Sequence, residues 1–181
     1  DEAKAISTEI TGDVRAIIPD IEAGIKSGLP FESDKLDLLT RQMVFVNDQD
    51  LRSQVADMLE RNSQILAAQS APLEEVEAAI GVLRSDMSKN GATATKLALA
   101  EGLEASAKAK RQALDNDAIG YGQSQGLVGE MPAIDMQNPS SYASTLQQFQ
   151  RGVDVMQATG QVANISAFRP AQEDAYALMW Q

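Results

Sequence analysis

No cysteine and no histidine occur among the 181 residues, and the aromatics are only four Phe, three Tyr and one Trp. Without Cys there are no disulfides, no thiolate nucleophile and no Cys-based zinc or iron–sulfur site. Without His there is no Ser-His-Asp triad, no imidazole base and no ordinary transition-metal site. Cations are scarce too: 15 Lys+Arg stand against 26 Asp+Glu, a net charge of −11. Phosphate-backbone binding needs clustered Lys and Arg, so direct nucleic-acid binding is not expected, nor is adsorption to anionic lipid. The compact basic cluster Lys108, Lys110 and Arg111 is ringed by Glu101, Glu104, Asp115 and Asp117 and reads as a solvated helix face.

Long hydrophobic runs are also missing. No stretch approaches the roughly 18 apolar residues of a spanning helix, so no transmembrane segment is expected. The chain starts at Asp1 rather than Met, as a processed product or an excised piece of a longer protein would. Its length suits one domain or two small ones and allows a real core. The missing Cys is compatible with a cytosolic or an exported protein.

What is present is helical periodicity. Apolar residues recur at spacings of three and four almost throughout, and strand-like alternation is scarce. Ile10, Val14, Ile17, Ile21 and Ile25 form a first stripe, closed by Gly28-Leu29-Pro30, with a kink or a fresh start expected at Pro19. Ser33 is the expected N-cap of a helix bearing Leu36, Leu39, Met43 and Val46. Asn47 or Asp48 caps a third, with the stripe Leu51, Val55, Met58, Asn62 and Ile65. Pro72 opens a fourth, in which Glu74, Glu75 and Glu77 suit the N-terminal dipole and Leu73, Val76, Ile80, Leu83 and Met87 face inward. Asn90-Gly91 stops it.

A long Ala-rich helix follows, about Thr93 to Leu114, with Leu97, Ala100, Leu103, Ala107 and Leu114 on one face. Its small side chains permit close helix–helix approach. Beyond residue 115 the composition turns Gln-rich. Residues 127–138 read as an extended connector, and Asn138-Pro139 starts a helix carrying Tyr142, Leu146, Phe149, Val153 and Met156 up to Gly160. A last helix is expected from Pro170, with Glu173, Ala175, Leu178 and Met179. The expected fold is all-α: an antiparallel bundle of about six to eight helices, compact or elongated, with residues 1–114 as a helical bundle and 115–181 as a Gln-rich C-terminal part.

Several patterns invite a chemical reading. Gly122-Gln123-Ser124-Gln125-Gly126 matches the G-x-S-x-G nucleophile elbow, but there is no His base and no preceding strand, so a turn sequence is expected. Asp115-Asn116-Asp117-Ala118-Ile119-Gly120 resembles the start of a calcium loop. Ile119 and Gly126 then stand where oxygen ligands are needed, and Asp117 is better read as a helix N-cap. Gly120, Gly122 and Gly126 lack the spacing of a dinucleotide fingerprint. Paired carboxylates can cleave glycans without His or Cys, and Glu32, Asp48, Asp50, Glu101 and Glu104 are the candidates. Glu32-Ser33 resembles the Glu-Ser that begins the catalytic motif of lysozyme-like lytic transglycosylases, although Asp34-Lys35-Leu36-Asp37 replaces that family's Gly-rich continuation. Asn62 reads as a polar register device or an edge position, the seven Met as core fillers, and Trp180 as an anchor. No catalytic, cofactor or metal residue is assigned.

The C-terminal part carries a longer pattern. It runs from Lys108 to Asp117, through Tyr121, Leu127-Val128 and Met131-Pro132, to Asp135, Asn138-Pro139 and Tyr142. A helix with Arg151 then leads to Thr159-Gly160, followed by Phe168, Pro170, Glu173 and Leu178. This order resembles a helical spacer segment of very large virion proteins of tailed bacteriophages and prophages, over about residues 100–181. The resemblance implies a structural module of an internal ejection or tail-associated protein, often with a lysozyme-like transglycosylase domain elsewhere in the polypeptide. It implies virion localisation, self-association or binding to other virion proteins, and no functional residue in this chain. Two other readings are an extracytoplasmic helical sensor or ligand-binding domain, and a carboxylate-dependent peptidoglycan-degrading enzyme.

Overall fold

In the computed structural model, residues 2–132 and 138–160 are described. The fold is all-α, with seven α-helices and two short 3-10 turns and no strand among the described residues. The expected helix from Pro170, the stretch around Asp135 and Met136, and Phe168, Met179 and Trp180 lie outside them. The chain divides into two compact units, residues 1–108 and 109–181, with the boundary inside the fifth helix.

In the first unit, α1 (Glu2–Lys26) runs unbroken through Pro19. The carbonyl of Arg15 that Pro19 cannot bond lies on an exposed side of the helix, where water can take it, so no fresh start occurs. Val14, Ile18, Ile21 and Ile25, spaced four, three and four apart, are buried. The helix ends in a Schellman motif. Gly28 adopts φ 70°, its N–H donates to the Ile25 carbonyl (3.1 Å), and the Leu29 N–H donates to Gly24 (2.9 Å).

Helix α2 (Ser33–Gln42) has Glu32, not Ser33, at its N-cap, and it tightens into a 3-10 turn over Met43–Phe45. Helix α3 (Gln49–Ser70) is capped by Asp48, whose carboxylate accepts the N–H groups of Asp50 and Leu51. The stripe read from its sequence is buried throughout, Asn62 included. Helix α4 (Leu73–Asn90) follows Pro72, which sits at the N-cap, and stops at Gly91 with φ 88°. Only Leu73, Val76 and Ile80 of its stripe are buried, while Leu83 and Met87 are half-buried.

Helix α5 (Ala94–Asn116) meets α1 at glycines. A Cβ on Gly102 would fall on the Ile25 carbonyl oxygen, and one on Gly28 would lie 2.8 Å from the Gly102 carbonyl oxygen and the Ser106 hydroxyl. The close approach foreseen for Ala thus happens at Gly102. Leu97 turns outward at 48% exposure, and Ala98 is buried instead.

Two polar residues are buried in α3. Asn62 Oδ1 accepts the Phe31 N–H (2.7 Å) and its Nδ2 donates to the Phe31 carbonyl (3.5 Å). Asn62 therefore clasps the loop between α1 and α2 rather than sitting at an edge. Arg61 makes a two-pronged contact with Glu22 of α1 (2.8 and 3.4 Å) and donates to the Asp57 carbonyl (3.3 Å), so its buried charge is compensated.

In the second unit, Asp117 caps α6 (Ala118–Ser124) by accepting the Gly120 N–H at 2.9 Å. After residues 127–132, which form no helix, a 3-10 turn over Pro139–Ser141 leads into α7 (Tyr142–Ala158). Ile119, Tyr121, Val128, Phe149, Val153 and Met156 are buried here. Two glycines let the helices meet: a Cβ on Gly122 would strike Met156 and Val128, and one on Gly152 would strike Met131. Thr145 takes the inward position expected of Leu146, which is 40% exposed.

Candidate docking groove

The carboxylates singled out for glycan chemistry fall on three elements. Glu32 precedes α2 and pairs with Lys35 at 3.2 Å. Asp48 pairs with Arg15 of α1 at 2.8 Å while capping α3, and Asp50 is exposed in the next turn. The Leu51 N–H first, then the Arg15 guanidinium, holds the Asp48 carboxyl below its usual pKa. That favours a permanent anion and disfavours a general acid. Glu104 of α5 pairs with Arg84 of α4 at 2.7 Å, and Glu101 is exposed on α5.

Ser124 does not sit in a nucleophile elbow. It is the last residue of α6, and its hydroxyl donates to the Tyr121 carbonyl at 2.7 Å. The two glycines of the pattern have separate structural duties: Gly122 faces Met156, and Gly126 caps the helix at φ 69°. Asp117 is committed to the cap of α6, and no cluster of three or more acidic side chains able to hold a metal occurs among the described residues.

One feature with the form of a binding site is an apolar groove of about 610 Å³ in the first unit. Its α3 wall is Gln64, Ala67, Ala68 and Ala71, a stripe at spacings of three, one and three. Facing it, α4 contributes Val76, Ala79, Val82 and Leu83, and α5 closes one side with Leu99 and Leu103. The groove exists because small Ala side chains on α3 and α4 leave volume that Leu or Ile would fill. Val82 stands 71% exposed on its wall. At one end Glu75 lines the wall, and at the other Asp86 binds Lys96 of α5 at 2.6 Å and accepts from Asn90. The Lys96 contact, then Asn90, holds the Asp86 carboxyl below its usual pKa. The cations Arg84 and Lys96 are thus both engaged in ion pairs between α4 and α5.

Sequence periodicity identified the walls as helix faces, but not the groove. Leu83 belongs to the face expected to point inward, and Ala67, Ala71 and Ala79 carry no signal beyond helix propensity. No family profile, curated protein or solved structure matches this chain.

Proposed function

We propose that the chain is a non-enzymatic helical module that works by packing against other proteins or copies of itself, in the manner of a structural segment of a phage internal-ejection or tail-associated protein. The observation that carries the packing role is the Ala-lined groove between α3, α4 and α5, an apolar channel left open on the first unit. The virion setting rests on the resemblance over about residues 100–181. The candidate carboxylates support the non-enzymatic reading, since Glu32, Asp48 and Glu104 are each held by a cation. Mass spectrometry of density-purified phage particles induced from the source strain is expected to find peptides of this chain. Their absence, or peptidoglycan clearing by the isolated chain, overturns the proposal.

The volume of the groove also favours a second reading. It lies within the roughly 300–1,000 Å³ typical of small-molecule pockets, which suits a helical ligand-binding domain. Saturable binding of an apolar small molecule, blocked by Ala79→Trp, would favour that reading over the first.

A further inference from the structure

We infer that the groove between α3, α4 and α5 receives an amphipathic helix of another protein, with large apolar side chains on one face and Lys or Arg along its flanks. This rests on the reading of the chain as a packing module and identifies the partner by chemistry.

Length argues for a helix. The α4 wall runs from Glu75 to Asp86, a rise of about 16 Å at 1.5 Å per residue, which matches three turns of a guest helix. Residues at positions i, i+3 or i+4 and i+7 of such a guest would meet the buried Ala68, Val76 and Leu103 between the more exposed Ala67, Ala71 and Ala79. The small Ala67, Ala71 and Ala79 leave room for large side chains, so the guest supplies Leu, Met or Phe against them and against Leu83, Leu99 and Leu103.

Charge argues for a basic flank and against a second copy. Among the described residues no cation lines the groove. At the Asp86 end, Arg84 and Lys96 are closed by Glu104 and Asp86, and the exposed Lys89 also acts on Asp86. At the other end Glu74 and Glu75, both exposed in the first turn of α4, make no ion pair among the described residues, so the unmatched acidic charge sits there. A second copy of a chain with net charge −11 would bring like charge to this rim.

The test uses fluorescence anisotropy with the whole chain and two labelled 18-residue peptides (a synthetic design choice of about five turns). Both carry Leu at helical spacing, one with Lys and the other with Glu on its flanks. The Lys peptide is expected to bind at least about tenfold more tightly than the Glu peptide, a gap of about 1.4 kcal/mol. Glu74→Lys with Glu75→Lys should shrink that gap. Ala67→Leu with Ala79→Trp fills the groove without altering charge and should abolish binding, with unchanged circular dichroism showing that the fold persists. Equal binding of the two peptides overturns the basic-partner inference and leaves the packing module standing. Lys-peptide binding that survives groove filling is adhesion to the acidic surface and overturns the inference too. A concentration-dependent dimer that dissolves on groove filling assigns the groove to a second copy. No peptide binding and no self-association overturns both the inference and the packing role.

Discussion

Two helix ends in this chain have the same pattern. Gly24-Ile25-Lys26-Ser27-Gly28-Leu29 closes α1, and Gly122-Gln123-Ser124-Gln125-Gly126-Leu127 closes α6. Both read G-x-x-x-G-L and both form a Schellman motif. Leu29 bonds back to Gly24 at 2.9 Å, and Leu127 bonds back to Gly122 at 2.8 Å. Their glycines nonetheless answer to different demands. Gly28 needs its positive φ and also lies against the backbone of α5, whereas Gly126 needs only its φ and faces open space. For the first glycine of each motif the neighbour is backbone at Gly24 (the Leu29 oxygen, 2.7 Å) and side chains at Gly122. A shared local pattern fixes the cap, and tertiary surroundings decide how far each glycine can be replaced.

The sharpest test of that difference is Gly28→Ala against Gly126→Ala. At Gly28 the left-handed penalty of about 1–2 kcal/mol adds to an overpacking cost of about 1–3 kcal/mol. A loss of about 3 kcal/mol is therefore expected in urea unfolding, and a loss equal to that at Gly126 would show that the α1–α5 contact yields freely. The first end is also held from outside, because Asn62 clasps Phe31. Asn62→Ala leaves the half-buried Phe31 N–H without its partner and should cost about 2 kcal/mol. At Gly126, Ala should cost only about 1 kcal/mol, the conformational part alone. Gly126→Asn should cost less still, because Asn tolerates the left-handed region.

A charge test separates these packing effects from electrostatics. The lowered pKa of Asp86 means that its pairing with Lys96 stabilises the fold above the usual carboxylate range and is lost as pH falls through the lowered value. Asp86→Asn should therefore lower Tm slightly at about pH 7 and leave it unchanged in acid below the lowered pKa. Equal losses at both pH values would assign the effect to the Asn90 contact or to packing. The smallest effect is expected at Ser124→Ala. The serine's hydroxyl only bonds back to the Tyr121 carbonyl, so stability should change by no more than about 0.5 kcal/mol.

Much of this fold was legible because helix signals are local. Asp48, Asp117 and Gly91 cap where their chemistry says they should, and the α3 stripe is buried as its spacing requires. The misreadings are matters of tertiary context. Leu97 and Leu146 lie on periodic faces, yet Ala98 and Thr145 hold the buried places beside them. Pro19 breaks no helix, because the carbonyl it orphans faces outward. The small Ala side chains of α5 announce close approach to some helix, but the tightest contact falls at Gly102, and nothing in the sequence names Ile25 of α1 as its neighbour. The groove was the least legible part, since missing volume between three helices has no pattern along any one of them.

The Asn62 clasp also bears on time. It joins positions 31 residues apart, so it closes only after α3 has come to rest beside the end of α1. An interaction made that late adds little to the folding rate and acts mostly on the rate of escape from the native state. Asn62→Ala is therefore expected to speed unfolding more than it slows folding, which stopped-flow rates in both directions would check.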